Sequence, residues 1–178
     1  MPTQTLKSVL ASIILLAISA AAQSPAKPAP ELKKLDYFAG TWTTDATIPP
    51  GPWGNGGKFT STSTNEWKPD GSSLVCHRNY SMPPELGGDG SATLILAYDS
   101  ASHSYTGDES NTQGKVSSKG TLTNDTWLWT GSRTYNDMEI LQRMTLTPVS
   151  PTAYTVKLET SLDGANWMTF MEGKVTKK

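Results

Sequence analysis

The sequence is poor in the residues that mark several common protein classes. Its single cysteine, Cys76, excludes an internal disulfide framework and a cysteine-rich zinc site. Charged residues make up 17% of the chain, below the usual quarter, and the formal net charge is -1. We therefore expect no broad basic surface and no nucleic-acid partner.

Catalytic motifs are also missing. The chain has no Gly-x-Ser-x-Gly elbow, His-Glu-x-x-His pair, phosphate loop or Cys-x-x-Cys motif. Cys76 and His77 are adjacent, and neighbours on a strand point to opposite faces, so they form no direct dyad. The sequence predicts no catalytic residue, no metal site and no cofactor. Asp108 and Glu109 leave two alternatives open, a solvated hairpin tip and an interior acid.

The N-terminal residues 1–22 predict an export signal. Lys7 supplies a positive charge, Val9 to Ile18 form an apolar run, and small residues follow from Ser19 to Ala22. The run is too short to span a bilayer, which takes about 20 apolar residues. We expect cleavage after residue 22, a Pro/Ala linker over 23–30, and one domain over 31–178. The predicted location is periplasmic or secreted, with no membrane span after cleavage.

A short helix is predicted at the start of the domain. Pro30 suits the first position of a helix. Leu32, Leu35 and Phe38 follow at a spacing of three, which gives one apolar stripe. Gly40 stands where a glycine ends a helix. The pattern predicts a short amphipathic helix that packs on whatever follows.

Turn signals punctuate the rest of the chain, most of them 10 to 14 residues apart. They lie at residues 69–71, 87–90, 99–100, 113–114, 124–125, 136–137, 150–151 and 163–164. The segments between them are rich in Thr, Val, Tyr and Trp, and several alternate in polarity. About ten strands and no second long helix are predicted. This pattern favours an antiparallel β-barrel or a β-sandwich.

Three motifs resemble a known family. Leu32 to Trp42 (LKKLDYFAGTW) resembles the N-terminal segment of lipocalin-like proteins, including the Gly-x-Trp of Gly40 and Trp42. Leu96 to Asp99 with Tyr105 and Thr106, and Asp163-Gly164 with Trp167, resemble motifs of a calycin-type family of secreted bacterial proteins labelled as a domain of unknown function. The resemblance implies a ten-stranded antiparallel lipocalin-like β-barrel with a short closing helix. It gives Gly40, Trp42, Asp163, Gly164 and Trp167 structural roles.

Two departures limit what the resemblance implies. Haem-binding relatives need a histidine late in the chain, and none follows His103. Eukaryotic lipocalins place an arginine of the last strand over the first tryptophan, whereas only Lys174, Lys177 and Lys178 are available here. The sequence therefore predicts neither a b-type haem nor close kinship with that branch.

The predicted function is binding of a small apolar molecule of unknown identity inside the barrel. Trp53 lies in a Gly/Pro loop at the expected mouth, as a lid or contact, or packed on its own barrel. Tyr98, Tyr105 and Trp129 are predicted wall residues. Arg143 is a ligand anchor, one half of a structural ion pair, or solvated. The alternatives are a protein-interaction module with a filled barrel and an unknown partner, or an enzyme with an interior carboxylate.

Overall fold

The computed structural model describes residues 29–52, 54–135 and 137–178. The predicted signal sequence, nearly all of the predicted linker, and Trp53 lie outside the described residues. A 3₁₀ helix, Pro30–Phe38, begins this part of the chain and is called the base helix below. No helix among the residues described is both long and apolar enough to cross a bilayer.

Ten antiparallel strands follow and close into one barrel in the described part of the chain, which confirms the predicted fold. The strands are β1 (Gly40–Ile48), β2 (Gly57–Trp67), β3 (Leu74–Ser81), β4 (Gly90–Asp99), β5 (Ser104–Asn111), β6 (Gly114–Thr123), β7 (Thr126–Tyr135), β8 (Met138–Ser150), β9 (Ala153–Ser161) and β10 (Met168–Lys177). A three-residue turn of 3₁₀ helix, Pro84–Leu86, connects β3 to β4 and is called the mouth turn. Each strand pairs with its sequence neighbour, and β1 pairs with β10 to close the barrel.

Turn chemistry explains why the strands end where they do. Each of the eight predicted turn signals lies at the junction of two consecutive strands, and four of them overlap the first or last residue of a strand. Asn124 and Asp125 have φ values of 48° and 63°, the left-handed conformation of a tight two-residue hairpin. Gly164 has φ 74° in the β9–β10 turn, where Asp163 accepts backbone hydrogen bonds from Ala165 and Asn166. Hydrogen bonds from the backbone and side chain of Asn166, the Ala165 backbone and the Ser161 hydroxyl hold the pKa of the Asp163 carboxyl well below its usual range.

The base helix closes one end of the barrel. Its spacing of three matches the three residues per turn of a 3₁₀ helix, so Leu32, Leu35 and Phe38 share one buried face. Trp42 is 1% exposed, and its indole Nε1 donates to the Phe38 carbonyl at 2.8 Å. Trp42 thus packs against the base helix at the closed end, and Lys177 Nζ lies 5.4 Å from the centre of its ring.

Hydrogen bonds also fasten the base helix to the strands around it. The Tyr105 hydroxyl donates to the Glu31 carbonyl at 2.9 Å, and Trp67 Nε1 donates to Asp36 Oδ1 at 2.8 Å. The helix is therefore held by its buried stripe and by polar contacts from separate strands. The closed end of the barrel therefore forms the floor of the barrel interior.

Candidate functional site

The barrel interior above the base helix contains a cavity of about 240 Å³. Phe38 forms part of its floor, and side chains from all ten strands form its wall. Two more lining residues lie at the open end: Leu86, in the mouth turn, and Met82, just before it. The inside of the barrel is therefore not completely filled by its own side chains.

One side of the wall is mostly apolar. It comes from β7 to β10, with Trp129, Met144, Leu146, Val156, Leu158, Phe170, Met171 and Val175. Trp129 lies flat against Gly120, where an added Cβ would come within 2.7 Å of the indole Cζ3. Trp127 stacks beside it, with the ring centres 6.0 Å apart and the planes 8° from parallel. The glycine leaves room for the Trp129 ring to lie along the wall as a flat apolar surface.

The facing side of the wall, from β2 to β6, mixes apolar residues such as Leu94 and Leu96 with charged and amide side chains. Arg78 on β3 and Glu109 on β5 approach with 3.7 Å between Nη1 and Oε2, and both side chains are about a quarter to a third exposed. Asn111 donates from Nδ2 to the other carboxylate oxygen, Glu109 Oε1, at 2.7 Å. Both oxygens of the carboxylate therefore have a partner, although the ion pair is long.

A second arginine lies at the open end of the cavity. Arg133 on β7 lines the cavity and donates from Nη1 to Gln113 Oε1 at 3.2 Å. Gln113 in turn donates from Nε2 to the Leu86 carbonyl of the mouth turn at 3.1 Å. Among the described residues, no carboxylate lies within 4.0 Å of the Arg133 guanidinium. Its nearest polar partner is thus a neutral amide.

Three polar side chains lie nearer the floor. Asn65 is 7% exposed and donates from Nδ2 to the Phe38 carbonyl at 2.7 Å, while its Oδ1 has no partner among the described residues. Burial raises the pKa of the Cys76 thiol to about 12 and that of Tyr154 to about 12. Both groups stay protonated near neutral pH, so Cys76 is a poor nucleophile.

The structure separates the residues predicted to bind a ligand. Trp129 lines the cavity. Tyr98 and Tyr105 lie instead at the closed end, where their rings meet edge to face at 5.0 Å, and neither is part of the cavity wall. Burial raises the pKa of both phenols. Trp53 lies outside the described residues.

Arg143 is on the outer surface of the barrel. Its Nε donates to Glu159 Oε2 at 2.7 Å, and its guanidinium carbon lies 4.3 Å from the centre of the Trp167 ring. Hydrogen bonding to Arg143 lowers the pKa of Glu159. Of the three alternatives for Arg143, the structure therefore shows the ion pair. Trp167 is held in its turn by a hydrogen bond from Nε1 to the Gly164 carbonyl at 3.0 Å.

Sequence reasoning missed Arg78, Arg133 and Asn65, and left the side of Glu109 open. The signal that could have found the two strand residues Arg78 and Glu109 is the alternation of side chains along a strand, since every second residue faces the interior. Buried Leu74 and Cys76 on β3 place Arg78 on the same inner face, and Tyr105 on β5 does the same for Glu109. Asp108 points outward and accepts a hydrogen bond from Ser117 at 2.7 Å.

The cavity offers groups for binding more clearly than for catalysis. Within the described ranges, no three His, Cys, Asp or Glu side chains are grouped so that they could hold a metal ion. The carboxylate of Glu109 is engaged by Arg78 and Asn111. The arrangement can bury an apolar body against one wall and supply hydrogen bonds and charge from the other.

Comparisons with known proteins agree with the fold. The model of the family described as "Protein of unknown function (DUF1579)" matches residues 27–177. Rv2717c from M. tuberculosis aligns with a TM-score of 0.59 and 11% identity over 85% of this chain and 99% of that chain. The S-type phycobiliprotein lyase CPES from Guillardia theta aligns with a TM-score of 0.54 and 10% identity over 81% of this chain and 90% of that chain. No curated protein matches significantly.

Proposed function

The chain belongs to the DUF1579 family of proteins of unknown function, and we propose that it binds a small, largely apolar molecule inside its barrel. The observation that carries the proposal is the cavity of about 240 Å³, which is lined mostly by apolar side chains together with a few charged and amide groups. Ligand sites in proteins are concave, mostly apolar and provided with a few placed polar groups. The cavity has all three properties.

The cavity also separates this proposal from the interaction module, which requires a filled barrel. A void of this size, bordered by Trp129, Met144 and Leu158, gives up contacts that a packed core would make. That loss is offset if a ligand occupies the space. The likeness to the phycobiliprotein lyase supports the barrel fold, while the proposal depends on the interior of this chain.

Native mass spectrometry of the protein purified from its source tests the proposal. The expected result is an added mass that disappears when the same sample is denatured. A titration with naphthalene-2-methanol, followed by calorimetry, gives a second measurement on ligand-free protein. Failure to observe either a carried mass or probe binding would contradict the proposal.

A pair of variants on one strand locates the binding. Val116 on β6 lines the cavity, and Val116→Trp places a large ring into it. Thr121 on the same strand points outward and is exposed, so Thr121→Trp adds the same ring outside. We expect Val116→Trp to weaken probe binding by about tenfold or more, equivalent to about 1.4 kcal/mol, and Thr121→Trp to leave it unchanged. Equal effects of the two variants would place the binding outside the cavity.

Export is part of the proposal. Lys7, the apolar run and the small residues before residue 23 support a cleaved signal. Fractionation of the source cells, with N-terminal sequencing of the purified protein, tests it. The expected protein starts at Gln23 and is found in the periplasm or the medium, and an uncleaved cytoplasmic protein would contradict it.

A further inference from the structure

We propose that the ligand is an amphipathic anion, with an apolar body against the Trp129 wall and one carboxylate at the mouth beside Arg133. This inference rests on the proposed binding function and names the class of molecule that the same cavity takes. It is carried by the balance and the positions of the charges that line the cavity.

The charges in the cavity do not cancel. Among the described lining residues, the strongly ionised side chains are Arg78, Arg133 and Glu109. Two positive charges therefore face one negative charge along the cavity wall, where the side chains are only partly exposed. A buried or half-buried charge without a counterion is unfavourable. A ligand with one negative charge would bring the cavity to neutrality.

The two arginines differ in how far they are already paired. Arg78 has Glu109 at 3.7 Å, and the second oxygen of that carboxylate accepts from Asn111. Arg133 donates to the amide oxygen of Gln113, which carries no charge. The guanidinium has five N–H donors in a planar fork, so one bond to Gln113 leaves donors for a carboxylate. Both arginines therefore keep free N–H donors, and Arg133 is the one with no carboxylate beside it among the described residues.

The wall also fixes the orientation of the ligand. Phe38 and Leu146 border the deep end, close to the base helix, whereas Arg133 and Gln113 lie at the open end. An apolar body gains most by entering deeply, where it leaves water completely. A carboxylate gains most at the mouth, where it meets Arg133 and retains part of its hydration. The molecule would therefore enter apolar end first.

Three probes with one body and different head groups test the inference. Naphthalene-2-carboxylate, naphthalene-2-methanol and naphthalene-2-methylammonium are titrated into the full protein by calorimetry. We expect the carboxylate to bind about tenfold more tightly than the alcohol, since a charge-assisted hydrogen bond contributes more than a neutral one. We expect the ammonium to bind most weakly, because it meets a cation.

Arg133→Gln tests the assignment of the residue. It should reduce the preference for carboxylate over alcohol to about twofold or less, because it removes the charge and keeps a polar side chain. Arg133→Lys should retain part of the preference. Arg143→Gln is the matched control on the outer surface, and it should retain the whole preference.

The outcomes separate this inference from the proposed function. Equal binding of carboxylate and alcohol, or a carboxylate preference that survives Arg133→Gln, would overturn the inference and leave cavity binding intact. Tightest binding of the ammonium would overturn it as well and would point to Glu109. Failure of all three probes to bind would contradict the proposed function itself.

Discussion

The two ends of the barrel are built from the same ten strands and differ in how they are filled. At the closed end, Leu35 is completely buried and Trp42 is 1% exposed. Tyr154 lies against Phe38 and Trp42 there, with ring centres 5.7 Å and 5.2 Å away. At the open end, the strands enclose a cavity of about 240 Å³ lined by arginine, glutamate and amide groups as well as apolar ones.

From this difference we expect the closed end to provide most of the stability and the open end to provide the binding site. Complete burial of large side chains at the base supplies stability, because each apolar side chain removed from water contributes about 1.5–3 kcal/mol. At the open end fewer apolar side chains are completely buried, and the cavity and its charged side chains occupy the space instead. Stability and binding are therefore expected to respond to different substitutions, and four comparisons test this from the largest effect to the smallest.

Two leucines give the sharpest contrast. Leu35 is fully buried in the base helix, whereas Leu158 on β9 is half-buried and borders the cavity. We expect Leu35→Ala to lower the free energy of unfolding by about 3–5 kcal/mol, as a new void forms in a packed site. Leu158→Ala should lower it by about 1–2 kcal/mol, because less area is lost. Urea denaturation measures both, and equal losses would break the contrast between the two ends.

Alkaline pH tests the two buried acids of the interior. The pKa of Cys76 rises from 9.0 to about 12, and that of Tyr154 from 10.0 to about 12. Their neutral forms are favoured in the folded state, so the associated stability is complete below pH 9 and is lost as the pH rises towards 12. Each group should lower the free energy of unfolding by about 1.4 kcal/mol per pH unit in its window.

The variant Cys76→Ala isolates the thiol in that experiment. Urea denaturation is repeated at intervals from pH 8 to pH 11 on both proteins. The decline that starts near pH 9 should disappear from the variant, and the decline that starts near pH 10 should remain. Identical pH profiles would show that the thiol ionises as easily in the folded protein as in the unfolded chain.

The Phe38 carbonyl, at the floor of the cavity, gives a smaller effect. It accepts from Trp42 Nε1 at 2.8 Å and from Asn65 Nδ2 at 2.7 Å, so it keeps one donor if the other is removed. In a cycle of Trp42→Phe and Asn65→Ala, the double variant should lose about 1 kcal/mol more than the sum of the single losses. A cycle of Trp42→Phe with Asn111→Ala, at the other end, should be additive.

Arg143→Gln should have the smallest effect. Its ion pair with Glu159 and its stacking on Trp167 lie on the outer surface, where water and salt screen the charges. We expect a smaller change in the denaturation midpoint than in any comparison above. A large loss of stability would show that the outer face contributes as much as the base.

The fold could be predicted from the sequence because local chemistry and global topology agree. The stripe of Leu32, Leu35 and Phe38 predicts the base helix, and the turn signals separate the strands that are observed. Sequence neighbours also pair along the whole barrel, so no crossover had to be predicted. The indole of Trp42 needed a buried acceptor, and the base helix supplies it.

The site was harder to predict because charged residues give no sign of the face they occupy. Arg133 on β7 and Arg143 on β8 are both partly exposed residues of paired strands, and only the register separates the inner one from the outer one. Tyr98 and Tyr105 do point inward, but they lie at the closed end of the barrel axis. The base helix covers them there, so they do not reach the cavity. Depth depends on how the strands are staggered around the barrel, and a single sequence does not show this.

The pairing of β1 with β10 also affects how the chain is made. Trp42 is opposite Lys177, 135 positions later, so the seam forms only after nearly the whole domain has left the ribosome. Closing a loop of that length costs about 4 kcal/mol of chain entropy beyond a constant term. Such distant pairing slows folding. Until the last strand arrives, β1 and β9 each present an unpaired edge.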